Sequence, residues 1–188
     1  MDNFNYKSWI KFYGDNVFNS SSESNISTIK FLNLSLLDDN KMYFIRPVED
    51  LKFFSGTVVS KKELTIFINE VNNGKYTYLD EYTEIVIAPA YKIEKEWRCF
   101  IVDKKVATAS LYKKNGSLFI SNNDIPETMI LFAEEMSKLW EPAKIFTLDI
   151  GLANNKYYII EAQCSNSSGF YKCDVLKLVQ SINNIQNK

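Results

Sequence analysis

Apolar residues recur along this chain with two periods, every second residue in some segments and every third or fourth in others. The first period is typical of β-strands and the second of amphipathic helices. Strands are predicted at residues 41–47, 57–60, 82–91, 93–103, 105–113, 117–121, 145–151 and 157–163. Pro47 ends the first of these, and Pro89 interrupts the third.

Helical spacing appears between the strands. Helices are predicted at residues 60–74, 126–140 and 174–185, with a shorter one at residues 27–37. Ser60 followed by Glu63 is a capping-box sequence, which marks the start of the first of these helices. Residues 1–25 are rich in polar and turn-forming residues and predict little order. Strand pairs that alternate with single helices predict an α+β fold.

The strand predicted at residues 93–103 has an unusual charged face. Glu94, Glu96 and Arg98 alternate with Lys95, Trp97 and Cys99, so two glutamates and an arginine lie on one side of the sheet. Charges on a strand that is otherwise apolar need partners when the sheet is buried. This face is therefore a candidate site.

Composition limits the function classes. The chain has 188 residues, enough for one domain or two small lobes, and its 46% apolar content is that of a folded protein. With 22 basic and 23 acidic residues and no run of one sign, it gives no support to binding of nucleic acid or of an anionic membrane. No apolar run is long enough for a transmembrane helix or secretory leader. We expect a cytoplasmic protein whose three cysteines, Cys99, Cys164 and Cys173, are reduced.

The sequence contains no histidine. This excludes nucleophile pairs of the serine–histidine and cysteine–histidine types, and zinc sites with histidine ligands. Any chemistry must use carboxylates, lysine, arginine, tyrosine and backbone amides. A metal bound by oxygen ligands would be Mg²⁺ or a similar hard cation.

The last two predicted strands each carry one carboxylate. Asp149 lies in TLDIG and Glu161 in IIEAQ, and a hairpin of these strands would place both on one face. One reading is a magnesium site that also uses an amide oxygen of Gln163 or Asn166. The other is that one carboxylate pairs with a basic residue such as Arg98. The sequence leaves both open.

Basic residues suited to nucleotide phosphates lie in several segments. The candidates are Arg46, Lys52, Arg98 and Lys113. Arg46 and Arg98 stand out because each lies in apolar sequence, FIRP and EWRCF, where a guanidinium needs a partner.

Taken in order, these segments resemble a known family. FIRPVEDLKFFSG, IVIAPAYKIEKEWRCFIVDKKVATASLYK, LDIG and YYIIEAQCSNSSGFYKCD are similar to motifs of the ATP-grasp superfamily. The nearest resemblance is to the phage and bacterial clade that is named for one arginine and two lysines. It covers roughly residues 40–180, and the order of the motifs is its most specific feature.

The resemblance implies two small lobes of antiparallel sheet and helices, residues 1–88 and 89–188, with a nucleotide cleft between them. It also implies ATP and Mg²⁺ as cofactors. The implied roles fall into four groups: phosphate contacts by Arg46, Lys52, Ser55, Gly56 and Lys113; adenine contacts by the backbone of Ile87 and Ala88; metal ligation by Asp149, Glu161 and Gln163; and a substrate end at Asn166, Ser167 and Ser168. Glu96 and Arg98 would face the reaction, with Arg98 toward the transferred phosphoryl group or the substrate carboxylate.

The chemistry that the resemblance implies is phosphorylation of a carboxylate by ATP, followed by attack of an amine on the acyl phosphate. Small-molecule or peptide substrates are expected. Charge neutralisation and positioning dominate such chemistry, which suits a chain without histidine.

Two other functions remain open. The segment expected to cover the phosphates has one glycine, Gln163 stands where the family usually has asparagine, and no α/β domain is expected before residue 40. A truncated, inactive relic that binds nucleotide would fit these departures. A phage or viral protein that uses the fold to bind a host partner is the other alternative.

Overall fold

The computed structural model describes residues 4–20, 25–49 and 54–186. It divides into two compact units. We call Ser8–Phe18 with Lys92–Lys188 the C-terminal unit, and Asn5–Lys7 with Asn19–Tyr91 the N-terminal unit. Each is built on one antiparallel sheet. The lobe boundary expected at residue 88 stays a prediction.

Helices and strands mix in the way that the α+β prediction requires. The helices are α1 (Tyr6–Tyr13), α2 (Lys61–Asn72), α3 (Glu127–Leu139) and α4 (Val175–Gln186). The strands are β1 (Asn25–Thr28), β2 (Met42–Pro47), β3 (Thr57–Ser60), β4 (Glu84–Pro89), β5 (Lys95–Val102), β6 (Lys105–Lys114), β7 (Ser117–Ser121), β8 (Ile145–Ala153) and β9 (Lys156–Cys164). The α+β prediction is confirmed.

The N-terminal unit packs α2 on a four-stranded sheet with strand order β1-β4-β2-β3. Tyr43, Ile45, Leu64 and Ile87 form a core cluster between them, because alternate residues of β2 and β4 point toward the helix. The predicted capping box is present. The Ser60 hydroxyl accepts from the Glu63 backbone N–H, and the Glu63 carboxylate accepts from the Ser60 N–H.

The helix predicted at residues 27–37 is wrong. The chain instead forms β1, which pairs with β4, and then two short 3-10 turns. The Asn33 side chain accepts a hydrogen bond from the backbone N–H of Ser35 at 3.1 Å, and this competes with helical backbone bonding. Apolar spacing alone was therefore misleading.

The low order predicted for residues 1–25 is also wrong where the structure describes them. Residues Tyr6–Tyr13 form α1, in which Trp9 and Tyr13 are buried. Tyr13 meets the Trp140 ring edge-on at 5.4 Å. Aromatic residues outweigh the polar composition here because each buries a large apolar area.

The C-terminal unit contains a five-stranded sheet with strand order β7-β6-β5-β8-β9. Two-residue turns join three of its strand pairs, at residues 103–104, 115–116 and 154–155. Both residues of each turn have positive φ, as in the type I′ turns that match the twist of antiparallel strands. Asparagine, aspartate and glycine supply five of these six positions.

Helices lie on both faces of this sheet. On one face, Cys99 of β5 contacts Met129 of α3, with 3.5 Å between the sulfur atoms. On the other, Phe100 and Val102 pack with Leu178 of α4. Glu96 and Arg98 share the α4 face by alternation, but nearer the start of β5. The sheet thus has a charged end and an apolar end on one face.

Among the described residues, no helix combines the length and apolarity needed to cross a lipid bilayer. Among the cysteines, Cys99 and Cys173 are buried and Cys164 is half-buried. Burial raises the pKa of the Cys99 thiol well above its ordinary value and that of Cys173 to about 11. These thiols are therefore protonated at neutral pH.

Candidate functional site

An arginine–carboxylate pair lies at the centre of the charged end of the C-terminal sheet. Arg98 of β5 and Asp149 of β8 are register partners. The guanidinium donates from Nε to Oδ1 and from Nη2 to Oδ2 of Asp149, each at 2.8 Å. Both side chains are buried, with 9% and 3% of their surfaces exposed. This bidentate geometry is the strongest form of an ion pair in proteins.

A bulge in β6 brings two more side chains to this pair. Glu96 pairs with Lys113 and Trp97 with Leu111, so Tyr112 is an extra residue between them. Its hydroxyl donates to Oε2 of Glu96 at 2.8 Å and lies 3.2 Å from Oδ2 of Asp149. The Lys113 ammonium lies 3.5 Å from the same Glu96 oxygen. Glu96, Arg98, Tyr112, Lys113 and Asp149 thus form one connected group, which we call the charge network.

The segment before α4 covers the Arg98 guanidinium. The carbonyl of Gly169 accepts from Nη1 of Arg98 at 3.3 Å. The Tyr171 ring stacks on that of Tyr112, with 4.9 Å between centroids, and lies 5.2 Å from the guanidinium carbon. Tyr171 has φ of 51°, a left-handed conformation that is unfavourable for an aromatic residue. Holding the Tyr171 ring in this position therefore costs conformational free energy at that residue.

Electrostatics fix the protonation states of two members of the network, Arg98 and Tyr112. Burial alone would lower the pKa of Arg98, but its hydrogen bonds to Asp149 and the attraction of that carboxylate raise the pKa above the ordinary value. Burial, with the nearby charges of Asp149 and Glu96, raises the pKa of Tyr112 well above 10.0. At neutral pH, Arg98 is charged and Tyr112 keeps its proton as a hydrogen-bond donor.

The predicted metal ligands lie on β8 and β9. Asp149 is directly opposite Glu161, as expected from the sequence, and Gln163 is buried opposite Thr147. Asp149 nevertheless binds Arg98, which is the second reading that the sequence had left open. Within residues 4–20, 25–49 and 54–186, no group of three or more acidic or cysteine side chains is placed to hold a metal ion.

The expected substrate end has mainly internal contacts. The buried Ser168 hydroxyl lies 2.9 Å from that of Thr147 and donates to the Cys164 carbonyl at 2.9 Å. Asn166 accepts from the Cys164 thiol and is exposed. Ser167 ends a short 3-10 turn, and its side chain lies outside what the structure describes. Ser168 therefore fixes this segment to the sheet.

In the N-terminal unit, two of the predicted phosphate-binding residues are neighbours. Arg46 of β2 lies with its guanidinium 5.7 Å from the Tyr6 ring centroid, and its Nε donates to the Pro47 carbonyl at 3.4 Å. A Cβ on Gly56 would lie 2.6 Å from the Phe44 ring and 3.7 Å from the Arg46 Cβ. Any larger residue at position 56 would force the Phe44 ring to shift. Ser55 precedes it and is exposed, whereas Lys52 lies outside the described residues.

The predicted adenine-binding residues lie inside the N-terminal sheet. Ile87 is paired with Asn25 of β1 on one side and with Ile45 of β2 on the other, and its side chain is in the core. Ala88 is paired with Phe44. Pairing on both sides engages backbone groups of this strand. Adenine recognition by Ile87 and Ala88 stays a prediction.

Comparison with known proteins assigns the family. Residues 23–181 match the model of an ATP-grasp domain, family 2 of the clade named for one arginine and two lysines. The chain belongs to this ATP-grasp family. Among curated proteins, no relative matches the chain.

Several solved structures share this ATP-grasp fold at low identity. The D-alanine–D-alanine ligase from Bacillus anthracis has a TM-score of 0.66 and 16% identity, over 95% of this chain and 64% of that protein. The ATP-grasp ligase PsnB, complexed with a phosphomimetic variant of its minimal precursor, Mg and ADP, has a TM-score of 0.66 and 13% identity, over 99% and 60%. The D-cycloserine synthetase DcsG has a TM-score of 0.61 and 12% identity, over 94% and 67%. The chain spans less than two thirds of the first two proteins.

Sequence reasoning missed three residues of this candidate site. Tyr112 enters it through the bulge, which interrupts the alternation in SLYKK and so left a faint signal. Thr147 is wholly buried and binds the Ser168 hydroxyl. Tyr171 depends on a left-handed backbone that its sequence, GFYK, does not indicate. All three residues join the site through contacts with residues that are distant in the sequence.

Proposed function

We propose that this protein is an ATP- and magnesium-dependent ligase that joins a carboxylate to an amine through an acyl phosphate. The observation that carries the proposal is the charge network on one end of the C-terminal sheet. Three of the four charged side chains of the network, Glu96, Arg98 and Asp149, are buried on an apolar sheet. This burial is costly for folding, and such clusters concentrate at binding and catalytic sites. Membership of the ATP-grasp family is the reason for proposing ligation as the chemistry of this network.

The residues present fit a divalent cation. Asp149 and Glu161 lie opposite each other and offer the oxygen ligands that Mg²⁺ prefers, and Gln163 adds an amide oxygen nearby on β9. The Arg98 guanidinium stands in for a cation at Asp149. A magnesium ion bound here would neutralise nucleotide phosphate charge.

The chain's own residues would position the reactants. Arg98 and Lys113 carry the positive charges of the network and would bind phosphoryl oxygens, while Glu96 orients Lys113 and Tyr112. Arg46 and Gly56, together with Ser55 and Lys52, are proposed for the remaining phosphate contacts. Asn166 and Ser167 are proposed for the substrate end, with Ser168 holding that segment in place.

The names of the structural neighbours guide the choice of substrates. PsnB is an ATP-grasp ligase that was complexed with a precursor peptide, and another neighbour is a D-alanine–D-alanine ligase. We propose an amino acid or a peptide as the source of the carboxylate or the amine. Nothing in the proposal requires nucleic acid or a membrane.

Isothermal titration with a non-hydrolysable ATP analogue, with and without Mg²⁺, tests the proposal first. We expect magnesium-dependent binding that Asp149→Asn abolishes. Asp103→Asn is the matched control, because Asp103 lies in the turn after β5 and pairs with Lys144. Binding without any effect of magnesium, or equal losses in both variants, would contradict the site. ADP release with carboxylate–amine pairs would then establish ligation.

One observation favours the relic that binds nucleotide without ligating. Both oxygens of Asp149 are hydrogen-bonded by Arg98, so this carboxylate is engaged already. Turnover separates the two functions. Magnesium-dependent nucleotide binding without ADP release, across amino acid and peptide pairs, would favour the relic.

A further inference from the structure

The charge network is neutral as it stands. Arg98 and Lys113 supply two positive charges, and Glu96 and Asp149 supply two negative charges. Each Asp149 oxygen accepts from Arg98, and Oδ2 is also within reach of the Tyr112 hydroxyl. A cation that takes Asp149 as a ligand therefore competes with the Arg98 guanidinium for the lone pairs and the charge of this carboxylate.

The Arg98 guanidinium has a second set of contacts that does not involve Asp149. It lies 5.7 Å from the Tyr112 ring centroid and 5.2 Å from that of Tyr171, and it donates to the Gly169 carbonyl. Cation–π attraction to a buried ring, Tyr112, and a partly exposed one, Tyr171, holds a guanidinium without neutralising it. Arg98 can thus lose Asp149 and remain in the site.

We propose that Arg98 is the resident cation of Asp149, and that a divalent metal ion binds by taking its place. The displaced guanidinium stays between the Gly169 carbonyl and the Tyr112 and Tyr171 rings, where its charge is available to an anion. This inference rests on the proposed function, because Asp149 is the metal ligand there. Metal affinity is then set by competition with an arginine on the neighbouring strand.

The competition has a consequence that a purely catalytic arginine would not produce. Removing Arg98 frees Asp149, so metal binding becomes tighter even as phosphoryl binding is lost. We expect Arg98→Gln to bind Mn²⁺, without nucleotide, at least about ten-fold more tightly than the wild type. Arg98→Lys keeps the charge but loses the bidentate geometry, so its affinity should lie between them.

Electron paramagnetic resonance of free Mn²⁺ measures this affinity. Lys113→Gln is the matched control, since it removes one positive charge from the same network without touching Asp149. Its affinity for Mn²⁺ should rise by no more than about three-fold. Equal gains in the two glutamine variants would overturn the exchange, because bulk charge would then explain both. No gain in Arg98→Gln would also overturn it.

Thermal unfolding shows whether each variant is folded and also tests metal binding independently. An ion that binds the native state raises its stability, so saturating Mn²⁺ should raise the melting temperature of Arg98→Gln more than that of Lys113→Gln. Equal shifts would count against the proposal.

Two variants of Tyr171 test whether the displaced Arg98 guanidinium is held by the aromatic rings. Tyr171→Ala removes one ring and should weaken Mn²⁺ binding, because the displaced Arg98 loses its support; Tyr171→Phe keeps the ring and should not. Equal effects would contradict the docking role.

The nucleotide titration separates failure of this inference from failure of the function. Magnesium-dependent binding in the wild type, with no gain in Arg98→Gln, would refute the exchange alone. Absence of metal binding in every variant would refute the metal site and the exchange together.

Discussion

The chain has two arginines and 20 lysines, and the arginines lie in comparable strands of different units. Arg98 of β5 makes a bidentate pair with a buried carboxylate. Arg46 of β2 is half-buried, with its guanidinium near an aromatic ring and its Nε bonded to a backbone carbonyl. Both lie in apolar sequence; the described contacts of Arg98 include a buried carboxylate, and those of Arg46 include an aromatic ring and a backbone carbonyl.

The two units also differ in how strongly their ion pairs are exposed to solvent. The ion pairs Lys7–Glu84 and Lys30–Glu81 of the N-terminal unit are well exposed, where such pairs contribute little. In the C-terminal unit the central pair is desolvated, so removing one partner leaves a buried charge. The C-terminal unit should therefore be the more sensitive to changes of charge.

The largest effect is expected from Asp149→Ala. It leaves the Arg98 guanidinium buried without its carboxylate, which should lower the free energy of unfolding by about 3–5 kcal/mol. Urea unfolding followed by circular dichroism measures the loss. Glu84→Ala, which breaks the exposed pair with Lys7, is the control and should cost less than about 1 kcal/mol. Similar losses in both would remove the distinction between the units.

Replacing each arginine by lysine should give a smaller, graded contrast. Arg98→Lys loses one of two charge-assisted hydrogen bonds and should cost about 2 kcal/mol. Arg46→Lys keeps a cation near the Tyr6 ring and should cost less than about 1 kcal/mol. The same unfolding experiment compares them, and a larger loss for Arg46→Lys would reverse the ranking.

Alkaline pH should affect the N-terminal unit through Tyr6. Burial raises the pKa of Tyr6 to about 12, although the nearby Arg46 opposes this. The unfolded chain releases this proton near pH 10, so the contribution of Tyr6 is complete below pH 10 and is lost as pH rises to about 12. At pH 11 the protein should be about 1 kcal/mol less stable than at pH 9 on this account. Tyr6→Phe should flatten that slope, and an unchanged slope would exclude Tyr6 as its cause.

Local signals in the sequence predicted the parts of the fold that local interactions determine. Alternation located β5 and its charged face, and the Ser60–Glu63 capping box located α2. The Asp149–Glu161 pairing followed from the spacing of two strands. Periodicity failed at residues 27–37, where side chains of Asn33 and Ser35 bond locally instead of supporting a helix.

The candidate site was only partly predictable. Glu96, Arg98 and Asp149 were visible because charge in apolar strands is rare, but the partner of Asp149 depends on which strand lies beside β8. Strand order is a long-range property, and the sequence left two partners open. Tyr112 and Tyr171 reach the network through a bulge and a left-handed residue, neither of which alternation encodes.

The backbone conformation of Tyr171 lowers the stability of the fold. Glycine would adopt φ of 51° freely, whereas an aromatic residue there sacrifices roughly 1 kcal/mol of stability. Tyr171→Gly would relieve that strain and at the same time remove the ring that covers Arg98. The stacking of this ring on Tyr112 and its contact with the Arg98 guanidinium offset part of the strain. The strained backbone at Tyr171 and the cover over Arg98 are therefore gained or lost together.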